Sequence, residues 1–294
     1  MSISPQPNEQ LVKKELLCII TVSKDDPHGL SATIASITSL LDEPYQHIIK
    51  VHGNSVDSYI EDPSIDSYLK RPSVKLILGP DDGIYDAMNQ ALLHANAEFS
   101  MFVNSGDTIQ CRDTVTILSH ILEASDCIDH HAFPWTYIIS NHQYTRIPSS
   151  VNSILQFMPF CHQAVISRTS RLKARPFMSQ YRYLADWQFF IYEYLDGARF
   201  LIHTNPSIVI FDTGGVSSIR SISFLKESLD IYFQHSGLSI GIVVRILNYM
   251  TVYTIGFIIG RKRAAEIYRR TLSLLLAFTK RSQITANSFA FNFR

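Results

Sequence analysis

The sequence predicts an α/β fold in which helices flank a mostly parallel central sheet. Short apolar runs of strand length alternate with helical patterns from residue 16 onward. This alternation is typical of parallel sheets, because parallel strands are joined by crossover helices. The 294 residues are 46% hydrophobic and 18% charged, a composition that supports a buried core and argues against disorder, collagen-like repeats and coiled coil.

The individual elements follow from the spacing of apolar residues. Residues 16–22 form a continuous apolar run, which indicates a strand buried on both faces. Apolar residues at helical spacing predict an amphipathic helix over residues 29–41. The remaining predictions are strands at 46–51, 74–78 and 99–103, and a helix at 84–95.

Small, polar and acidic residues follow three of the predicted strands. They lie at 52–55 after the second strand, at 81–83 after the third and at 104–107 after the fourth. Ligands of open α/β sheets bind outside the carboxyl ends of the strands, so we expect these segments to line one crevice. Each segment taken alone is also compatible with an ordinary turn.

The formal net charge of zero conceals an uneven distribution of charge. Residues 238–294 hold nine basic residues and one acidic residue, which leaves 17 basic and 25 acidic residues in the preceding chain. A neutral chain argues against nucleic acid as a partner. The asymmetry instead predicts an acidic body joined to a basic C-terminal region.

The C-terminal region has the composition of a membrane-associating segment. Residues 238–260 contain a single charged side chain, Arg245, and are followed directly by three basic residues. The stretch is long enough to span a bilayer, but a charge near its centre disfavours insertion, so a pair of interfacial helices on an anionic membrane fits better. A helical hairpin packed on the α/β body is the alternative.

These patterns predict three regions along the chain. Residues 1–14 form a flexible N-terminus, 15–220 form the α/β domain, and 221–294 form the basic, apolar helical region. The four cysteines show neither CxxC pairing nor zinc-binding spacing, and the polar first ten residues do not resemble a signal peptide. We expect a cytoplasmic protein that associates peripherally with the inner face of the plasma membrane.

Two segments resemble the family 2 glycosyltransferases of GT-A fold. They are residues 80–89, PDDGIYDAMN, and residues 102–107, FVNSGD, and the likeness is strong to the branch that includes the colanic acid glycosyltransferase WcaE. Weaker matches follow the family's order at residues 20–22, 161–164, 185–187 and 214–217. The resemblance covers residues 16–218 and implies a Rossmann-like GT-A domain, here with a C-terminal helical extension, that transfers a sugar from a nucleotide donor with inversion.

The resemblance also implies a donor site. Its donor-binding residues would be Thr21, Val22, His52, Asp57, Asp81, Asp86, Asn89, Asn104, Ser105 and Gly106. Asp107 would bind Mg²⁺ or Mn²⁺, which neutralises the charge of the diphosphate leaving group. The chain departs from many relatives at Asn104 and His52, where an acid is usual. Asn104 leaves a single carboxylate for the metal, and His52 is expected to change the identity or affinity of the nucleotide. For Asp86 and Asp107 the alternatives are a favourable charge near a helix N-terminus and a helix cap.

The candidate catalytic base is Asp186, since inverting transfer needs one carboxylate to accept the proton of the acceptor hydroxyl. On the acceptor or diphosphate side the resemblance places His162, Gln163, Trp187, Gly214 and Gly215, the two glycines within a flap. A helix-capping role for Asp186 and core roles for His162 and Trp187 are the alternatives.

The predicted partners are a nucleotide-sugar donor, a glycan acceptor and a membrane surface. Because the tail favours membranes, we expect an acceptor linked to polyprenyl diphosphate, as in bacterial surface polysaccharide synthesis. A non-catalytic relative that binds nucleotide sugars or acts as a membrane scaffold is the main alternative, because of His52 and the single carboxylate at Asp107. A sugar nucleotidyltransferase is a weaker one, since residues 23–26 contain no glycine-rich phosphate loop.

Overall fold

Strands and helices alternate through the chain, as the apolar pattern predicts. The computed structural model describes residues 16–40, 45–53, 57–110, 127–139, 142–211 and 222–235. Within these ranges the strands form a central sheet of seven strands and a second sheet of four. The predicted α/β fold with a mostly parallel central sheet is confirmed.

The strands are β1 (Leu17–Ser23), β2 (Tyr45–His52), β3 (Val74–Gly79), β4 (Phe99–Phe102), β5 (Thr108–Ile109), β6 (His130–Ala132), β7 (Trp135–Ile139), β8 (His142–Arg146), β9 (Val165–Arg168), β10 (Phe200–Ile202) and β11 (Val209–Phe211). The central sheet has the order β10-β6-β9-β4-β1-β2-β3, and the second sheet has the order β5-β11-β7-β8. β1 pairs parallel with both β2 and β4, and its seven residues are all buried. This central position explains why its sequence is continuously apolar.

The helices are α1 (Pro27–Leu40), α2 (Asp57–Ile60), α3 (Pro63–Leu69), α4 (Ile84–Leu92), α5 (Thr169–Ala174), α6 (Ala185–Leu195) and α7 (Ile222–His235). Two short 3-10 helices occur at Val151–Ser153 and His162–Ala164. The predicted helix at 29–41 begins two residues earlier, because Pro27 suits a first helical turn and the Asp26 carboxylate accepts the Gly29 N–H at 2.9 Å.

The main hydrophobic core lies between the central sheet and its helices, and α7 contributes to it. Ile231 and Tyr232 of α7 are buried, and the Tyr232 ring packs edge-on against Trp187 of α6 at 5.2 Å between centroids. The domain boundary predicted at residue 220 therefore precedes a helix that packs on the α/β body.

The segment predicted to associate with a membrane, residues 238–294, lies outside the described residues, as do Gly214 and Gly215. Across the ranges that the structure describes, no helix has the length and apolar character needed to cross a bilayer. Peripheral membrane association stays a prediction.

Candidate active site

The segments after the parallel strands are linked by hydrogen bonds at one edge of the sheet. Gly53 after β2 and Gly79 at the end of β3 exchange backbone hydrogen bonds of 3.0 and 2.7 Å. The Ser105 N–H after β4 donates to the carbonyl of Val22 in β1 at 3.1 Å. The carboxyl ends of four neighbouring parallel strands thus present their polar segments on the same side of the domain, where α/β proteins bind ligands.

The first cluster at this edge surrounds Asp81. The fully buried Lys50 donates to the Gly79 carbonyl at 2.6 Å, and its Nζ lies 3.3 Å from Asp81 Oδ2. His52 Nδ1 lies 3.0 Å from the same oxygen. Burial raises the pKa of Asp81. The contacts with His52, Lys50 and the Gly83 N–H lower it by more than burial raises it, so the net pKa is below its usual value. Asp81 is therefore a carboxylate at neutral pH.

This cluster is open to a ligand, because the His52 side chain is 27% exposed. The structure thus brings together His52 and Asp81, which the resemblance implies for donor binding. Lys50 was not identified from the sequence. A lysine among the apolar residues 48–51, two residues before the end of the strand, was the available signal.

The second cluster is the loop of residues 104–107, which is hydrogen-bonded to α1. The buried hydroxyl of Thr33 lies 2.7 Å from the Asp107 carbonyl and accepts the Gly106 N–H at 3.1 Å. Gly106 has φ of 92°, a conformation that favours glycine. The hydroxyl of Thr33 therefore fixes the loop through its backbone atoms.

Asp26 joins this loop to the start of α1. Its Oδ2 accepts the Ser105 hydroxyl at 2.8 Å, while its Oδ1 accepts the Gly29 N–H. A Cβ added to Gly29 would lie 1.9 Å from Asp26 Oδ2, so any larger residue here would force the Asp26 carboxylate to move. Asp26 was missed as a site residue, although Asp-Pro before an apolar helical pattern is a helix-start signal.

The residues of this loop offer two oxygen ligands that suit a divalent cation. Asp107 is a buried carboxylate, 4% exposed, and the buried Asn104 Oδ1 has no hydrogen-bond partner within the described part of the chain. Both supply the hard oxygen ligands that Mg²⁺ and Mn²⁺ prefer. The described residues contain no cluster of three or more His, Cys, Asp or Glu side chains suited to a metal, so diphosphate and water oxygens would have to complete the shell.

The third cluster surrounds Asp186, in the first turn of α6 and 7% exposed. The Tyr85 hydroxyl and the Trp187 N–H each donate to Asp186 Oδ1 at 2.8 Å. His162 Nδ1 lies 2.8 Å from Oδ2, an ion-pair distance, although the ring is not aligned for a hydrogen bond. Residues from α4, the 3-10 helix at 162–164 and α6 therefore meet at one carboxylate.

Two opposing effects set the protonation state of Asp186. Burial raises the pKa of its carboxyl, whereas the charge and proximity of His162, the Tyr85 hydroxyl and the Trp187 N–H lower it, and the net result is a lowered pKa. Burial and the negative charge of Asp186 raise the pKa of Tyr85 well above its usual value. Asp186 is thus an ionised acceptor, and Tyr85 stays a protonated donor at neutral pH.

His162 is 9% exposed, and its Nε2 makes no hydrogen bond to the residues that the structure describes. The structure places two predicted residues, His162 and Asp186, in direct contact. Tyr85 was missed as a site residue even though it lies inside the quoted motif, because the motif alone does not reveal a partner 101 residues away.

Other predicted site residues have polar groups engaged by the protein itself. The Asn89 side chain exchanges two hydrogen bonds with the backbone of Phe177, at 2.8 and 2.9 Å. Asp86 Oδ2 accepts the Asp82 N–H at 2.9 Å and the side chain of Gln90 at 2.8 Å. These contacts give both residues structural tasks around α4, and their contact with a donor stays a prediction.

Three more predicted site residues, all buried, also have polar groups that bond to other parts of the protein. The Thr21 hydroxyl donates to the Val103 carbonyl at 2.7 Å, the Trp187 indole donates to the Ile154 carbonyl at 2.7 Å, and Gln163 Oε1 accepts from Cys161 at 2.8 Å.

Two further residues complete the predicted set. Val22 is buried within β1, and Asp57 is exposed at the start of α2. The donor-binding roles of both stay predictions.

No family model matches the chain, and no curated protein matches it in sequence. Solved structures do match it. The structure of TarS 1–349 from S. aureus with UDP is 16% identical, with a TM-score of 0.59, over 75% of this chain and 65% of that chain. The mannosyltransferase PcManGT from Pyrobaculum calidifontis, with GDP-Man and Mn²⁺, is 12% identical, with a TM-score of 0.55, over 96% of this chain and 86% of that chain.

The chain has the GT-A fold. TarS 1–349 has also been solved with UDP-GlcNAc, and that structure matches with a TM-score of 0.58 at 16% identity, over 82% of this chain and 75% of that chain. The chain spans 44% of the longer TarS structure. Identities this low establish the fold alone, so membership of family 2 and of the colanic acid branch stays a prediction.

Proposed function

We propose that this chain is an inverting glycosyltransferase, which moves a sugar from a nucleotide-sugar donor to a hydroxyl of a glycan acceptor. The observation that carries the proposal is the buried, ionised carboxylate of Asp186, held by the Tyr85 hydroxyl and close to His162. A general base must be deprotonated and fixed in place before the acceptor arrives. Asp186 meets both conditions in the GT-A domain.

The proposed chemistry is a single displacement at the anomeric carbon. The acceptor oxygen forms a bond to this carbon while the bond from the carbon to the diphosphate oxygen breaks, and the leaving diphosphate keeps the electron pair. Asp186 takes the proton of the acceptor hydroxyl. Because attack and departure occur on opposite faces, the configuration inverts. The contact of Asp186 with His162 stabilises the carboxylate before the transfer.

The donor would bind across the other two clusters. His52 and Asp81 offer hydrogen-bonding groups for a nucleoside, and Asn104 and Asp107 would hold Mg²⁺ or Mn²⁺ beside the diphosphate. When bound, the metal supplies positive charge that stabilises the leaving group. The structures of TarS with UDP and UDP-GlcNAc and of PcManGT with GDP-Man and Mn²⁺ support such a donor.

The acceptor proposal rests on the C-terminal region. Residues 238–294 combine an apolar stretch with an excess of eight basic charges, which favours an anionic membrane surface. We propose a polyprenyl-diphosphate-linked glycan of bacterial surface polysaccharide synthesis as the acceptor, used at the inner face of the plasma membrane. Deletion of residues 238–294 should then release the protein from membrane fractions, and unchanged membrane association would contradict this part of the proposal.

The test of the proposed activity starts from donor binding. UDP-, GDP- and dTDP-sugars with Mg²⁺ or Mn²⁺ are screened for a rise in melting temperature, and the donor that binds is assayed for hydrolysis and transfer. Asp186→Asn should lower turnover by about 10²- to 10⁴-fold while keeping the rise in melting temperature. Asp66→Asn, on an exposed ion pair with Lys70, is the matched control and should keep full activity. A wild-type protein that binds a donor without turning it over would favour the non-catalytic alternative.

A further inference from the structure

α7 contacts the segment of chain that leads into the helix carrying Asp186. Glu227 of α7 accepts three consecutive backbone N–H groups with its carboxylate. Oε1 accepts from Arg182 at 2.9 Å, and Oε2 accepts from Tyr183 at 2.9 Å and from Leu184 at 3.1 Å. Three hydrogen bonds from successive amides fix the direction of the backbone at this point, since a carboxylate accepts them only when the amides converge.

The held segment lies directly before Asp186. α6 begins at Ala185, and the Leu184 side chain makes no hydrogen bond that would cap the helix. The first amides of a helix have no acceptor within the helix and need one from outside. A carboxylate at this end is also favoured by the helix dipole. Glu227 accepts the N–H of the cap residue, Leu184, and the N–H groups of the two residues before it, and so it anchors the chain that enters α6.

Tyr183 connects this contact to the candidate base. Its N–H donates to Glu227, and its carbonyl oxygen lies 3.0 Å from the Tyr85 hydroxyl, which also donates to Asp186. The backbone at Tyr183 is thus held from both sides, by a carboxylate of α7 and by a side chain of α4. A shift of this peptide would move the Tyr85 hydroxyl and the first turn of α6 together.

Two more contacts join α7 to the same region. The Tyr181 hydroxyl donates to Asp230 Oδ2 at 2.7 Å, and the Tyr232 ring packs against Trp187, the residue after Asp186. α7 therefore packs against the start of α6. Of these contacts, the one through Glu227 acts on the backbone that leads to Asp186.

We propose that Glu227 is a positioning residue for the transfer reaction, which orients Asp186 by holding the amides of residues 182–184. This inference rests on the proposed function. With this role, α7 contributes to the catalytic domain, although the predicted boundary at residue 220 assigns this helix to the C-terminal region. Glu227 itself does not contact the reacting atoms, so its loss should slow the chemical step and leave donor binding intact.

The experiment uses the full chain with Glu227→Gln and Glu227→Ala. Lys226→Gln is the matched control, because it removes one exposed charge from the adjacent position of the same helix. We expect kcat to fall by about 10- to 100-fold in Glu227→Ala, as for other small misplacements of catalytic groups. Glu227→Gln keeps one acceptor oxygen and should retain more activity than the alanine variant. The donor KM should stay within about twofold of the wild-type value.

Hydrogen exchange separates positioning from stability. The amides of residues 182–184 should exchange faster in Glu227→Ala, while β1 and β4 keep their protection. A folded Glu227→Ala protein with wild-type kcat would overturn the inference, and so would a loss of kcat equal to that of Lys226→Gln. A higher donor KM at unchanged kcat would also overturn it, because it would place Glu227 in donor binding.

Different measurements decide the role of Glu227 if the proposed function is wrong. If the wild-type protein turns over no nucleotide sugar, the positioning role is decided by exchange at residues 182–184 and by NMR titration of the Asp186 carboxyl. Loss of the contact should raise the pKa of Asp186, because the hydrogen bonds from Tyr85 and Trp187 loosen. Unchanged exchange and an unchanged pKa would show that Glu227 does not position Asp186.

Discussion

The hydrogen bond from Tyr85 to Asp186 allows a test of the candidate site that requires no substrate. Tyr85→Phe keeps the ring within the core and removes only the hydroxyl, which lies 2.8 Å from Asp186 Oδ1. A hydrogen bond to a charged group contributes about 1.5–3 kcal/mol to stability. The bond is buried, so water does not replace the missing hydroxyl. We therefore expect Tyr85→Phe to lower the free energy of unfolding by about 1.5–3 kcal/mol at pH 7.

The pH dependence of this loss identifies its cause. The contacts of Asp186 lower its pKa in the folded state, so the ionised carboxylate contributes stability that is complete above the unfolded pKa of about 3.9 and is lost as pH falls through the folded pKa. Part of the lowering comes from Tyr85. The difference between wild type and Tyr85→Phe should thus be constant from pH 8 to about pH 5 and shrink at more acidic pH.

The assay is urea unfolding across this pH range, with Tyr45→Phe as the matched control. The Tyr45 hydroxyl is buried and lies 3.3 Å from the hydroxyl of Tyr68, so it joins two neutral groups. Its loss should cost about 0.5–1.5 kcal/mol and stay constant from pH 8 to about pH 4. Equal, pH-independent losses in the two variants would refute the role of Tyr85 as a donor to an ionised Asp186.

Two further predictions concern the residues that support the proposed donor clusters, and a third concerns the buried His47 of β2. Gly29→Ala should displace the Asp26 carboxylate, since the added Cβ would lie 1.9 Å from it, and should reduce the donor-dependent rise in melting temperature. Lys50→Met leaves Asp81 with fewer partners, so urea unfolding should show a loss of about 1–3 kcal/mol, and NMR should show a higher pKa for Asp81. Burial lowers the pKa of His47 to about 3, so the unfolded chain binds a proton that the folded chain excludes below pH 6.5. Wild type should therefore lose about 3 kcal/mol between pH 6.5 and 4 through His47, and His47→Gln should lose correspondingly less in the same titration.

The parts of the structure that sequence predicts are those with a local physical cause. β1 is recognisable because a strand covered on both faces must be apolar throughout. The loop at residues 104–107 is recognisable because glycine permits the positive φ of Gly106 and polar residues collect at strand ends. Asp186 follows from the resemblance, and the structure places it in a buried position with three close partners, while its role as the base stays a prediction.

The parts that sequence does not predict depend on contacts between distant residues. Tyr85 meets Asp186 across 101 positions, Lys50 meets Asp81 across 31, and Glu227 meets Leu184 across 43. No periodicity or spacing encodes such pairs, because each side chain alone is compatible with a core or surface role. From the sequence alone, Glu227 is a polar residue of an ordinary amphipathic helix.

The contacts of α4 give a physical reason why residues 80–89 form one continuous motif. Asp81 precedes this helix and belongs to the cluster proposed for the nucleoside, while Tyr85 in its first turn donates to Asp186. Asp86 fixes the loop between them by accepting the Asp82 N–H, and Asn89 holds the backbone at Phe177, in the chain that leads toward α6. A single helix, which advances about 1.5 Å per residue, therefore links the proposed donor cluster to the proposed base. In the proposed reaction, the carboxylate that accepts a proton and the groups that bind the nucleotide must keep a fixed separation. An insertion or deletion in residues 80–89 would change that separation, whereas the same change in a surface loop would not.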